Sequence, residues 1–271
     1  MNSLRPVKAA ALRWHRPEAL GPERFEKLRP RLLRLASEPS EALYVAKRRA
    51  LYRVEDDELG AVAIKEIRSQ GLARALWFRF ARQHPALREF RVGAAFEARG
   101  GPTHEFFAVA IERSGPGIQR GLLFFRWLDD AVDLTQQLRH SAGKPAHALL
   151  ANVARGLAAH ARLGLVHGRH APGNLLLLPR PGGIEVLAID FAYASLGPGF
   201  DEAGYVGDVS RVAHHLVEFG LCSRPTAREF LELCAEEVAE ADDVGRVLGL
   251  LAADTDRRLE QRGVAPLCAG R

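Results

Sequence analysis

Two charged residues at the ends of apolar, β-branched runs hold the most chemical promise in this sequence. Lys65 closes Val62-Ala63-Ile64-Lys65. A lysine that faces the inside of a folded lobe is costly unless it meets an anion, and Glu89, on the next predicted helix, supplies a carboxylate. Taken alone the strand motif is weak, because a strand-exit lysine is usually solvated. The stronger signal lies between Gly164 and Ala194. It reads Gly164-Leu165-Val166-His167-Gly168-Arg169-His170-Ala171-Pro172-Gly173-Asn174-Leu175-Leu176, then a turn, then Val186-Leu187-Ala188-Ile189-Asp190-Phe191-Ala192. A strand pair there opens on Asn174 and closes on Asp190. An amide oxygen and a carboxylate at one end of a hairpin are two hard ligands of the kind Mg²⁺ takes, with phosphates and water completing its shell.

These residues need elements to place them. Residues 1–20 read as a loose lead-in, followed by an amphipathic helix over Glu23–Leu35 with Phe25, Leu28, Leu32 and Leu35 on one stripe. The period then changes to strands at Tyr44–Ala46 and Leu51–Val54, around a basic turn at Lys47–Arg49, and at Ala61–Ile67. Gly71–Gln83 is rich in arginine and aromatics, either an ordinary insert or a membrane-facing helix. Pro85 suits the first turn of the helix that carries Glu89, and Phe106–Ile111 and Gly121–Trp127 are the next strands. The second half is mainly helical: Lys144–Leu163 capped by Gly164, then Asp208–Phe219, Thr226–Ala239 and Asp242–Gln261, with short strands at Asn174–Leu178 and Ile184–Ile189.

With these motifs in order, the chain resembles the protein-kinase-like superfamily. His167–Asn174 resembles its His-x-Asp-x-x-x-x-Asn loop, Asp190-Phe191-Ala192 its Asp-Phe-Gly, and Val62–Lys65 the strand with the ATP-binding lysine. Within the superfamily, Leu87-Arg88-Glu89-Phe90-Arg91 and the linker-like Phe125–Leu134 are similar to the bacterial lipopolysaccharide kinases that act on Kdo or heptose. Only 17 residues separate Asp190 from Asp208, too few for a protein-kinase activation segment. The aminoglycoside or choline kinase type is the runner-up, since Pro172-Gly173-Asn174 also occurs there.

The resemblance implies an α+β, two-lobed kinase-like fold: a lead-in over 1–40, a small antiparallel lobe with a helix over 41–120, and a mainly helical lobe over 121–271. It implies ATP and Mg²⁺ as cofactors, with Lys65 held by Glu89 for the phosphates and Asn174 and Asp190 for the metal. All three metal and phosphate groups are expected to share one pocket. It also implies transfer to a sugar hydroxyl of a lipopolysaccharide core glycolipid, and Asp208 similar to the helix aspartate that anchors the catalytic loop.

Two departures stand out. Tyr44–Tyr52 contains no glycine, so Lys47, Arg48 and Arg49 either cover phosphates through charge and backbone N–H groups or form an exposed basic hairpin tip. Arg169 occupies the slot of the family's catalytic Asp, and a guanidinium stays protonated and cannot serve as a base. No acidic residue lies between Val166 and Leu178. His170, adjacent and of near-neutral pKa, or Asp201 or Glu202 folding back, are the substitutes on offer. Arg169 could instead bind a phosphate on the substrate, or mark a pseudokinase that binds nucleotide or a partner without transfer.

Composition narrows the setting. The chain of 271 residues carries 38 Lys+Arg against 33 Asp+Glu, a net charge of +5 and a pI near 9.4. That balance suits anionic partners, yet there is no aromatic-plus-basic pattern or zinc-finger spacing of a nucleic-acid module. Cys222, Cys234 and Cys268 are unpaired in number and lack CxxC spacing, which argues for a reducing compartment. Without a signal core or a run of about 20 apolar residues, the expectation is a cytoplasmic protein whose arginines can rest on the inner face of the cell membrane.

Overall fold

A computed structural model describes residues 12–37, 42–46, 48–69, 84–114, 117–141 and 147–267. The chain divides into two compact units, residues 1–98 with 104–129, and residues 99–103 with 130–271. The division expected after residue 120 falls inside a strand; the contacts divide the chain after Asp129.

Among the described residues, the first unit is an antiparallel sheet with two helices. Its strands are β1 (Leu12–His15), β2 (Ala42–Ala46), β3 (Arg49–Asp56), β4 (Gly60–Arg68), β5 (Phe106–Ser114) and β6 (Gly117–Arg126), in the order β1-β5-β6-β4-β3-β2. Strand β4 shows why alternation matters here. Val62, Ile64 and Glu66 are turned to one face, and Ala63, Lys65 and Ile67 to the other. Helix α1 (Pro22–Ser37) opens on a proline, carries Glu23 in its first turn and Arg34 in its last, as the helix dipole favours. It buries Phe25, Leu32, Leu35 and Ala36 against Tyr52, Val62, Ile64, Leu122 and Phe124. Helix α2 (Pro85–Ala98) starts against β6 at Gly121, where a Cβ would stand 2.6 Å from the Ala86 Cβ; only glycine permits that approach.

β1 corrects the reading of residues 1–20 as a loose lead-in. It pairs with β5 from Leu12↔Glu112 to His15↔Val109, and Trp14 stacks on Phe124 at 5.6 Å. Four residues with two apolar side chains give too short a pattern to signal a strand.

The second unit begins with β7 (Val132–Asp133), α3 (Leu134–His140) and α4 (His147–Arg162). After β8 (Leu165–Val166) come the hairpin strands β9 (Leu175–Arg180) and β10 (Gly183–Ala188), then β11 (Ser195–Leu196), which pairs with β8. Helices α5 (Glu202–Glu218), α6 (Arg224–Val238) and α7 (Val244–Gln261) complete it. Leu150, Val153 and Leu157 of α4, Val209 and Val212 of α5, Phe230 and Leu231 of α6 and Leu251 of α7 share one core. Helix α5 starts six residues before the expected Asp208. Asp201 caps it by accepting from the Gly204 amide at 3.1 Å, and Gly204 and Gly207 had disguised a helical turn as a loop. Asn174 lies in a 3₁₀ turn, Pro172–Asn174, with β9 starting one residue later. Lys47 and the Gly71–Gln83 segment, expected as an insert or a membrane-facing helix, lie outside the described residues. Among the described residues no helix is long and apolar enough to cross a membrane.

Candidate active site

In the first unit, Lys65 and Glu89 meet. Lys65 Nζ donates to Glu89 Oε1 at 2.7 Å and Oε2 at 2.9 Å. The lysine side chain is 15% exposed and the carboxylate 1%. The register Lys65↔Leu51 and Lys65↔Leu123 puts the lysine in the middle of three strands. Helix α2 buries Ala86, Leu87, Glu89 and Phe90 on the face that meets it. A charge-assisted, two-oxygen contact of this burial is a strong one. Its field is felt by His104, whose pKa is pushed down to about 3 by burial first and then by the Lys65 ammonium. Arg48 stands exposed in the β2–β3 turn, its carbonyl accepting from the Arg68 amide at 2.8 Å.

A cavity of about 1170 Å³ also belongs to this unit and lies beside α1, α2 and β5, with His15, Arg24, Lys27, Phe90, Arg91 and Phe106 on its walls. Neither Lys65 nor Glu89 lines it.

In the second unit, one carboxylate fixes the loop that follows α4. Asp208 Oδ2 accepts from the His167 amide at 2.6 Å and Oδ1 from the Gly168 amide at 2.9 Å. Burial raises the Asp208 pKa to about 6, against the pull of those two amides and of Arg211 and Arg258. Gly168 has φ +72°, and a Cβ there would stand 3.1 Å from the Tyr193 carbonyl. His167 is fully buried and its Nε2 contacts the Ile189 carbonyl at 2.7 Å. That contact ties the buried ring to the end of the hairpin.

The hairpin brings Asn174 and Asp190 to one end. Ala188 pairs with Leu175, and the Ile189 amide donates to the Asn174 carbonyl at 3.1 Å. The Asn174 side-chain amide donates to the Arg169 carbonyl at 2.9 Å. That contact fixes the amide's orientation and makes its oxygen the group available as a ligand. Asp190 is left-handed, φ 66° and ψ 56°, the one non-glycine with positive φ among the described residues. Such a conformation costs of order 1 kcal/mol and collects at functional sites. Two oxygen donors on adjacent backbone fit Mg²⁺ by their chemistry.

Arg169 itself is exposed, its guanidinium carbon 3.7 Å from the centre of the Tyr193 ring. This platform was not legible in the sequence, because 23 residues lie between the partners and neither belongs to a periodic pattern. His170 turns inward. It is 2% exposed, stacks on His167 at 4.2 Å, lines a small internal cavity with His160 and Asp208, and burial holds its pKa well below the usual range. The expected substitute base is therefore packed in the core. Asp201 is occupied as the α5 cap, and Glu202 pairs with Arg246 at 2.6 Å. Neither folds back toward the loop.

A lysine–glutamate pair linking a sheet to its helix, followed by a helical unit with a carboxylate-clamped His–Asn loop, defines a protein-kinase-like fold. Residues 46–196, more than half of the chain, match the lipopolysaccharide kinase (Kdo/WaaP) family, and the chain belongs to that family. A search of curated protein sequences gives no match. Among solved structures, "WaaP in complex with acyl carrier protein" is similar with a TM-score of 0.57 and 20% identity, covering 92% of this chain and 98% of that one. At that identity the likeness concerns the fold.

Proposed function

We propose that the protein binds ATP with Mg²⁺ and transfers phosphate to a sugar hydroxyl of a lipopolysaccharide core glycolipid. The observation that supports this best is the buried Lys65–Glu89 pair, within a family of lipopolysaccharide kinases. Glu89 orients the Lys65 ammonium toward the α- and β-phosphates. Asn174 and Asp190 hold the metal, and Asp208 and His167 keep their loop in one shape. Mg²⁺, when bound, supplies charge neutralisation at the phosphates. Arg48, with Lys47, adds positive charge over the nucleotide. Arg169, spread on Tyr193, meets an anionic group of the acceptor, which suits a glycolipid that already carries phosphate. The arginine-rich surface would let the enzyme work at the inner face of the membrane. An acyl carrier protein is a further candidate partner, since the similar WaaP structure contains one.

Arg169 favours a second reading, a pseudokinase that binds nucleotide without transfer. The loss of a positioned base costs about 10²–10⁴ in rate, and no carboxylate in the His167–Asn174 loop replaces it. Phosphate transfer from ATP to deacylated lipopolysaccharide separates the two. Turnover by the native chain that is abolished in Asp190→Asn supports the kinase. Turnover only in Arg169→Asp identifies the pseudokinase. If Mg-ATP raises the melting temperature of neither the native chain nor Arg169→Asp, the nucleotide-binding proposal fails altogether.

A further inference from the structure

Helix α5 carries a second cluster of ligand-bearing side chains, remote in sequence from the His–Asn loop. His214, His215 and Glu218 each offer one ligand atom, and the three atoms lie within 4.8 Å of one another. His214 Nε2 is 3.5 Å from Glu218 Oε2, and the two imidazole rings are 4.0 Å apart. His214 is 4% exposed, while His215 and Glu218 are half-buried. The sequence spacing explains the convergence, because positions four and three apart share a helix face.

The pairing of these groups is incomplete. The Nδ1 atoms of both rings are buried and make no hydrogen bond of normal geometry, although the Ser210 carbonyl lies close enough to favour a protonated His214. Buried polar atoms without partners are rare and call for a cause.

We propose that His214, His215 and Glu218 bind a divalent transition-metal ion, Zn²⁺ or an ion of similar softness. Two imidazole nitrogens and one carboxylate oxygen are the donor set that such ions prefer over Mg²⁺ or Ca²⁺. Metal–ligand bonds of about 2.0–2.2 Å place tetrahedral donors roughly 3.3 Å apart. Binding therefore requires the present spread of up to 4.8 Å to close by side-chain rotation. Glu218, with 19% of its side chain exposed, leaves a route from solvent and an open fourth position. Three cations oppose the ion. Arg262 Nε stands 3.8 Å from Glu218 Oε1, and Arg211 and Arg258 act on His215 from nearby. They make the site weaker than a closed four-ligand one, and they disfavour ions held by charge alone.

The test uses the full chain, stripped with chelator and titrated with Zn²⁺ by calorimetry, alongside His215→Gln and Glu218→Gln. His214→Gln is left aside because its ring is part of the core. One equivalent of Zn²⁺ is expected, with affinity at least about tenfold weaker in each variant. Co²⁺ added in place of Zn²⁺ should give the visible absorption of a low-symmetry nitrogen–oxygen site, lost in both variants. The proposal is overturned if no stoichiometric Zn²⁺ binds. It is equally overturned if binding survives both substitutions and disappears on cysteine alkylation, which would put the ion on thiols. Neither result depends on nucleotide, so the kinase reading stands or falls separately.

Discussion

Replacing Lys65 by methionine should leave the Glu89 carboxylate, 1% exposed, without its main counter-charge. Breaking a buried pair from one side costs about 3–5 kcal/mol. A ceiling comes from the carboxylate's escape, which is to take up a proton. From an ordinary glutamate pKa of about 4.3, neutralisation at pH 7 costs roughly 1.36 × 2.7, or about 3.7 kcal/mol. At pH 5 the same escape costs only about 1 kcal/mol. The Lys65→Met penalty should therefore fall from about 3–4 kcal/mol at pH 7 to about 1 kcal/mol at pH 5, a gain of stability on acidification relative to the native chain. In melting temperature that is roughly 6–16 °C at pH 7, shrinking to 2–4 °C. Lys65→Met/Glu89→Gln should recover most of the loss, since neither buried charge remains. Urea and thermal denaturation of the native chain, Lys65→Met, Glu89→Gln and the double variant at both pH values measure it. A penalty equal at pH 5 and pH 7, or a Lys65→Met melt within a degree of the native one, would refute the electrostatic account of this pair.

Three further outcomes follow from the same structure. His160 and His170 are buried with pKa values held at about 4 and well below 6.5 respectively. Their contribution is intact above the unfolded pKa of about 6.5 and is lost as pH falls toward 4, at up to about 1.4 kcal/mol per pH unit for each proton taken up; a urea midpoint flat from pH 7 to 5 would contradict this. Gly164→Ala forces φ +85° and sets a Cβ 2.4 Å from the Gly197 carbonyl, so it should cost well over 1 kcal/mol. Gly182→Ala, φ +115° with nothing within 4 Å, should cost less, and denaturation midpoints in the reverse order would be the failure. Asp208→Asn replaces one of two amide acceptors by a donor and should cost about 2 kcal/mol. It should also speed hydrogen exchange at the His167 and Gly168 amides, and unchanged protection there would dismiss Asp208 as the loop's anchor.

The legible parts of this protein were those written in period and order. The β-branched run ending at Lys65 and the apolar stripe of α4 fix strand and helix by repetition. The spacing from His167 through Asn174 to Asp190 gives the loop and hairpin their identity. What escaped was held by contacts across long stretches of chain. β1 exists because Trp14 has Phe124 and Phe25 to lie against, which no local pattern announces. The first turn of α5 depends on a capping aspartate, hidden ahead of two glycines. His170 looked like an accessible base by adjacency alone, yet the turn at Pro172 and the clamp by Asp208 roll its ring into the core. Arg169 was visible as a departure; the tyrosine beneath it was not.

The short run from Arg99 to Thr103 belongs with the second unit although the first surrounds it in sequence. The Ala188 amide donates to the Pro102 carbonyl at 3.0 Å, and the Thr103 hydroxyl donates to the Ala188 carbonyl at 2.8 Å. Strand β10 lies at the border of its small sheet, so Pro102 and Thr103 satisfy the N–H and C=O of Ala188 at the end of that rim. A fragment beginning at Asp130 would lack them and present that rim to any extended peptide, including its own copies. Evolution, or an engineer, can therefore not exchange the helical half as a cassette without carrying along a strip of chain encoded thirty residues upstream.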